Sequence, residues 1–149
     1  MIADSAIEEV FEAATRLTSL CHGVADRSGW WRDLQTGEPL QFDYNQQLSD
    51  WLSCGKRMNP LRNIGELLCL IHSEIAEAME GARKGLMDDK LPHRSMLEVE
   101  LADALIRICD MAGGLKLDLA GAIAEKLAYN AQRADHKIES RTAQGGKTF

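Results

Sequence analysis

Four acidic side chains occur in two pairs with the same internal spacing. Glu74 and Glu77 form one pair, and Glu100 and Asp103 form the other. On a helix, residues three apart project from one face, so each pair presents two carboxylates together. Four facing carboxylates repel one another and lose hydration unless a cation offsets their charge. Oxygen ligands of this kind suit Mg²⁺, with Mn²⁺ as a substitute, so the pattern predicts a divalent metal site.

The surrounding residues place both pairs beside an apolar stripe. At about 100° per residue, the carboxylates of each predicted helix fall on the edge of its apolar face, where two packed helices would bring them together. The alternative is that both pairs lie on a solvated helix face. A di-iron bundle is disfavoured, because it would require a histidine three residues after a glutamate, and none occurs here.

Basic and amide side chains accompany the acidic pairs. Arg107 falls between Glu100 and Asp103 on the same predicted face, where it would form an intrahelical ion pair or meet a ligand. Lys84 lies at the end of the helix that carries the first pair. A separate Lys/Asn/Arg face is predicted to bind phosphate oxygens or to be a solvated face, and its members are Lys126, Asn130 and Arg133.

Four helices are expected to position these residues. A capping box at Ser5 begins the first, which should end near Gly23, and a capping box at Ser95 begins the third. The second should span about 63–83 and the fourth should run from Asp118 towards Ile138. Strand patterns are nearly absent and the last three helices have short links, so we predict an all-α, antiparallel four-helix bundle in a single domain, residues 1–149.

Two segments do not fit this helical pattern. A loop-rich connection is expected over residues 25–63, with a short helix within 43–54. A loop of this length usually has a function or a partner. The Gly-, Lys- and Gln-rich end, residues 141–149, is expected to be a flexible tail.

Charge and hydropathy exclude several classes of function. The net charge of −6 and the pI of about 5.2 argue against binding to duplex nucleic acid, which favours basic proteins. No apolar run approaches the roughly 20 residues that span a bilayer, and the first residues lack the basic start and apolar core of a signal peptide. We therefore expect a cytoplasmic protein without membrane association.

The acidic pairs, taken together, resemble the pattern of the MazG-like all-α nucleotide pyrophosphohydrolases. The resemblance consists of Glu74-x-x-Glu77, a spacer of 22 residues, and Glu100-x-x-Asp103. The later segment Lys126-x-x-x-Asn130-x-x-Arg133 resembles the downstream helix of that family. The resemblance covers residues 65–137, and the stretch 41–59 looks longer than a minimal member requires.

The resemblance implies an activity and an assembly. The four acidic residues would be the catalytic Mg²⁺ ligands, and a metal-activated water, helped by one glutamate as base, would convert a (deoxy)nucleoside triphosphate to the monophosphate and pyrophosphate. Substrate would be bound by Lys84, Arg107, Lys126, Asn130 and Arg133, in a homodimer or a homotetramer built as a dimer of dimers. Trp30 and Trp31 would stack on the base, or else pack between helices or subunits.

Two other functions fit the same residues. One is a non-catalytic helical interaction module with a charged groove, and the other is a metal-dependent phosphohydrolase that cleaves a different phosphate bond. A melting temperature that changes with metal distinguishes the enzyme from the interaction module. Analysis of the products distinguishes it from a phosphohydrolase that cleaves a different bond. The preferred base stays open among dUTP, dCTP, dGTP and modified nucleotides.

Overall fold

Helices form the regular elements of the described part of the chain, and the turns between them contain two isolated β-bridges. The computed structural model describes residues 3–37, 39–40 and 63–144. Its helices are α1 Asp4–Arg27, α2 Ile64–Lys84, α3 Met96–Gly114, α4 Leu119–Gln132, a short 3₁₀ helix Ala134–His136, and α5 Ile138–Thr142. This confirms the all-α class. In the described ranges no helix is long and apolar enough to cross a membrane.

Caps are present at both ends of α2 and at the starts of α3 and α4. The Asn63 side chain accepts a hydrogen bond from the Gly65 amide at the start of α2, and Gly85 ends that helix with a left-handed φ of 64°. Ser95 and Glu98 form the predicted capping box at α3. Asp118 accepts from the Gly121 amide at the start of α4. Each side chain satisfies an amide that the first helical turn leaves unpaired.

Helix α1 departs from its predicted ends. It begins at Asp4, so Ser5 lies inside the helix and not at its N-cap, and it continues four residues past Gly23 to Arg27. A glycine inside a helix costs only about 1 kcal/mol, which does not end a helix whose neighbouring turns are stable. The left-handed glycine that follows α1 is Gly29, with φ of 84°.

The chain after α4 also differs from expectation. Helix α4 ends at Gln132 and Arg133 is extended, so the predicted continuation towards Ile138 is wrong. The 3₁₀ turn and α5 follow, and the first two residues of the predicted tail are helical. The predicted helix within 43–54, the long stretch 41–59 and residues 145–149 lie outside the described residues.

The chain divides into two compact units. One consists of Thr18–Leu117, and the other of Met1–Leu17 with Asp118–Phe149. In the first unit, α2 and α3 pack as an antiparallel pair joined by the turn 85–95. Close packing needs Gly81, since a Cβ there would lie 2.9 Å from that of Met96. The four-helix bundle and the single domain stay predictions.

A small core closes the other end of the α2–α3 pair. Trp31, Leu67 and Leu115 are buried together. The Trp31 ring lies so close to Gly114 that a side-chain Cβ would overlap it, and His22 meets Gly113 in the same way. The two glycines therefore form the surface on which Trp31 and His22 pack.

The apolar stripes of α2 and α3 are only half buried. Leu67, Ala78 and Ala104 are buried in the first unit, whereas Met79 is 67% exposed and Leu101 is 49% exposed. No large side chain in the described ranges is fully buried. Much of the predicted stripe therefore forms an exposed apolar face, whose members are Ile75, Met79, Leu97, Leu101, Leu105 and Ile108.

Candidate metal and ligand site

The two central glutamates lie inside the helix pair. Glu74 on α2 and Glu100 on α3 are 7% and 8% exposed, which is less than most apolar residues of the same helices. The prediction that the acidic residues border the buried stripe is therefore wrong for these two. They occupy the interface itself, because small residues such as Ala78 and Ala104 allow the helices to approach closely.

Three of the four predicted carboxylates come together. One oxygen each from Glu74, Glu77 and Glu100 lies within 4.8 Å of the others, and Glu77 is exposed. Asp103 is outside this group of three; it is exposed and lines a neighbouring cavity. Helix α2 therefore supplies a buried and an exposed carboxylate, one turn apart, to the same point on α3.

The acidic group changes the proton affinity of one of its members. Burial is the largest cause that raises the pKa of Glu100, to about 7 from 4.5. A carboxyl–carboxyl hydrogen bond with Glu74 and the charges of Glu77, Glu74 and Asp103 raise it further. The neutral form is favoured because an additional negative charge here is both desolvated and repelled.

Arg107 forms an ion pair between the two helices. Its Nε donates to Oε1 of Glu74 at 2.6 Å, and its side chain is 43% exposed. The predicted alternatives were an intrahelical ion pair or a ligand contact, and the partner is instead on α2. Four of the five guanidinium N–H groups remain beyond this bond, and Arg107 also lines the cavity.

The spacing of the acidic group is compatible with a divalent cation. Mg²⁺ holds oxygens at about 2.1 Å, so ligands on opposite sides of the ion are about 4.2 Å apart. Adjacent ligands are about 3.0 Å apart, so oxygens within 4.8 Å of one another would close by up to about 2 Å around the ion. The exposed position of Glu77 leaves one side open to the waters that Mg²⁺ retains. The group can therefore hold a metal ion, whose identity the donors do not fix.

A cavity of about 460 Å³ lies next to this group in the same unit. Leu20 and Val24 of α1 and Leu67 and Leu70 of α2 form apolar parts of its wall, and α3 contributes Ile106 and three polar residues, Asp103, Arg107 and Asp110. The α3 residues 103, 107 and 110 are spaced i, i+4, i+7 on one helix face. Because Arg107 lines the cavity and also bonds to Glu74, the cavity adjoins the acidic group.

Asp110 was not singled out in the sequence, although its spacing from Asp103 could have identified it. Its Oδ1 accepts from Trp31 Nε1 at 2.7 Å and from His22 Nδ1 at 3.0 Å. The His22 and Trp31 rings meet edge to face at 5.3 Å. Since the partners are 79 and 88 residues away, sequence spacing alone could not reveal this network.

The two tryptophans have different surroundings. Trp31 is 4% exposed and packs in the core, which matches the packing alternative for this residue. Trp30 is 63% exposed and lines the cavity, so its indole is accessible to a ligand. Stacking of either ring on a base stays a prediction.

Lys84, a predicted substrate-binding residue, pairs within its own helix. Lys84 forms an ion pair with Glu80 at the end of α2, and Arg83 also pairs with Glu80. These two contacts, Lys84 first, lower the pKa of Glu80. Lys84 thus has a structural partner within its own helix.

Lys126, Asn130 and Arg133 belong to the second unit. Lys126 Nζ lies 4.9 Å from the Tyr129 ring centre, and Arg133 makes two hydrogen bonds to Asp135, of 3.0 and 2.6 Å. Lys126 and Arg133 line one open cavity of about 610 Å³, whereas Asn130 does not. Arg133 lies outside α4, so the predicted helical face is incomplete, and phosphate binding by these residues stays a prediction.

In comparisons with known proteins, no family model matches this chain, and no curated protein or solved structure shows significant similarity to it. The family resemblance therefore rests on the acidic motif and the downstream helix alone. The structure establishes an all-α protein with a largely buried acidic group that can hold a metal ion.

Proposed function

We propose that this protein is a Mg²⁺-dependent pyrophosphohydrolase that converts a (deoxy)nucleoside triphosphate to the monophosphate and pyrophosphate. The observation that supports this most is the convergence of Glu74, Glu77 and Glu100 from two adjacent helices within 4.8 Å. Burying two carboxylates without a cation is costly, so the arrangement is better explained as a ligand set than as a structural feature.

Glu74, Glu77 and Glu100 would hold the ion, and Asp103 would complete the set from the next turn of α3. When bound, Mg²⁺ would lower the pKa of water and offset the charge of the triphosphate. Mn²⁺, which accepts the same oxygen ligands, would substitute for it.

The residues around the ion have distinct roles in the proposed reaction. Glu77 is exposed and can accept a proton from the attacking water. The water oxygen bonds to the α-phosphorus, the bond from that phosphorus to the bridging oxygen breaks, and pyrophosphate leaves with the electron pair. Arg107 has further N–H groups beyond its bond to Glu74 and lines the cavity, and such groups suit phosphate oxygens.

The exposed apolar face of α2 and α3 supports a homo-oligomer. Met79, Leu101 and Leu105 are each about half exposed or more, and burial of such side chains against a second copy is favourable. We propose a homodimer or a dimer of dimers. Light scattering after size exclusion tests this, and a monomer at micromolar concentration contradicts it.

A nucleotide panel tests the proposed activity. Purified protein is incubated with each common dNTP and NTP, with Mg²⁺, Mn²⁺ or EDTA, and products are resolved by chromatography. Metal-dependent formation of a monophosphate with pyrophosphate is expected. Release of orthophosphate supports cleavage of a different bond. If no nucleotide is turned over and metal does not raise the melting temperature, the result supports a non-catalytic module.

A further inference from the structure

The cavity beside the acidic group has the properties of a site for a flat heteroaromatic ring. Its wall is mainly apolar and includes Trp30, and its polar side chains are few: Ser28 after α1, and three charged residues on α3. Sites of this type bury the ring against apolar side chains and use one or two polar groups to set orientation and specificity. Of the polar groups, Arg107 is paired with Glu74, and Asp103 adjoins the acidic group.

Asp110 is the polar group that is held most firmly. Its side chain is 18% exposed, and Oδ1 accepts the Trp31 and His22 hydrogen bonds described above. Two N–H donors on one oxygen fix the orientation of the carboxylate. The second oxygen, Oδ2, accepts no hydrogen bond from the described part of the chain.

We propose that Asp110 is a specificity-determining residue, which selects ligands that present an exocyclic amino group and so favours amino-bearing bases over their keto counterparts. This proposal rests on the proposed function. A carboxylate can only accept hydrogen bonds, so its Oδ2 favours an amino group such as that of cytosine and repels the carbonyl oxygen of uracil at the same ring position. His22 and Trp31 are positioning residues that act through Asp110.

The Asp110→Asn variant exchanges one acceptor oxygen for a donor without a change of size. The remaining Oδ1 can still accept from Trp31 and His22, so the core contact is retained. Asp89→Asn is the matched control, because it makes the same change at an exposed residue of the turn between α2 and α3. Thermal melting and the tryptophan emission spectrum verify that both variants fold.

The test compares kcat/KM for two matched pairs, dCTP with dUTP and dATP with dITP. In each pair a carbonyl oxygen replaces the amino group, and the adjacent ring nitrogen gains a hydrogen. In any pair that is turned over, the wild-type protein and Asp89→Asn should favour the amino member at least about tenfold. Asp110→Asn should lower that ratio about tenfold or more, since the free energy of one hydrogen bond to a charged group corresponds to about this factor. An unchanged ratio in Asp110→Asn, or wild-type preference for the keto member, overturns the proposal.

A binding measurement separates this proposal from the activity itself. If no triphosphate is turned over, calorimetry in EDTA measures the binding of the four monophosphates dCMP, dUMP, dAMP and dIMP. Preferential binding of an amino member that Asp110→Asn removes supports the specificity role although the proposed reaction fails. Equal binding within each pair, or no binding of any of the four, overturns it.

Discussion

Arg107 on α3 donates from Nε to Oε1 of Glu74 on α2 over 2.6 Å, although Glu74 is almost completely buried. The guanidinium therefore places a positive charge directly beside the acidic group. It balances part of the charge that a metal ion would also balance, so the ion pair and a bound cation act on the same carboxylate.

Replacement of Arg107 by Gln should have opposite effects on stability and on metal binding. The metal-free protein should lose about 1–2 kcal/mol, because Glu74 loses its charged partner. The affinity for Mg²⁺ should increase severalfold, because a competing positive charge is removed. Urea unfolding in EDTA and calorimetric titration with Mg²⁺ measure the two effects. A parallel loss of both would show that Arg107 organises the ligands and does not compete with the ion.

Replacement of Glu77 by Gln should lower kcat at least about a hundredfold while the fold is kept, since one metal ligand and proton acceptor is lost. The melting temperature should change little, because Glu77 is exposed. Glu66→Gln, an exposed acidic residue in the first turn of the same helix, is the control and should retain full activity. A well-folded Glu77→Gln protein with normal turnover would remove Glu77 from the site.

The pKa of Glu100, raised to about 7 chiefly by burial, predicts two opposite pH dependences. In the metal-free protein the folded state holds this proton more tightly than the unfolded state. This contribution to stability is present below the ordinary pKa of 4.5 and is lost as pH rises through 7. Metal binding displaces the proton, so the Mg²⁺ affinity should rise about tenfold per pH unit below pH 7 and level off above it.

Melting curves in EDTA and Mg²⁺ titrations between about pH 5 and pH 8 test both dependences. Glu100→Gln, which cannot ionise, is the control for the first and should remove the fall of stability through pH 7. A Mg²⁺ affinity that does not vary with pH would contradict the assignment of Glu100 as a ligand.

Two glycine-to-alanine changes should separate helix propensity from close packing. Gly23→Ala in α1 should be neutral or stabilise the protein by up to about 1 kcal/mol, because its Cβ meets only the end of the Arg27 side chain at 3.4 Å. Gly114→Ala should destabilise it by about 1–3 kcal/mol, because the added carbon overlaps the Trp31 ring. Thermal and urea unfolding measure both; equal effects would show that Trp31 moves away without cost.

Local signals were sufficient for most of the helices and for the starts of two of them. Helix α3 begins at the Ser95 capping box and α4 at Asp118, as expected, because capping depends on contacts within a few residues. The end of α1 was not predictable from Gly23, since the cost of one glycine is smaller than the stability of the turns around it. The end of α4 before Arg133 is not marked by a proline or a glycine, so no helix-breaking residue predicted it.

The site was predictable only where its residues share a helix. The pairs Glu74–Glu77 and Glu100–Asp103 have a fixed helical spacing, and three of the four carboxylates do converge. The angular pattern placed Glu74 and Glu100 at an edge, because it assumed that the largest apolar residues set the contact, whereas α2 and α3 approach through alanines and a glycine. The contacts of Asp110 with His22 and Trp31 depend on the tertiary fold and could not be found from spacing.

In the proposed reaction, water attacks the α-phosphorus of a nucleoside triphosphate at the acidic group. Turnover in ¹⁸O-labelled water with Mg²⁺, followed by mass spectrometry of both products, tests this for the wild-type protein and for Glu77→Gln. One labelled oxygen is expected in the nucleoside monophosphate and none in pyrophosphate, and the variant should lose the reaction. Label in pyrophosphate or in orthophosphate, or equal turnover by the variant, would contradict it.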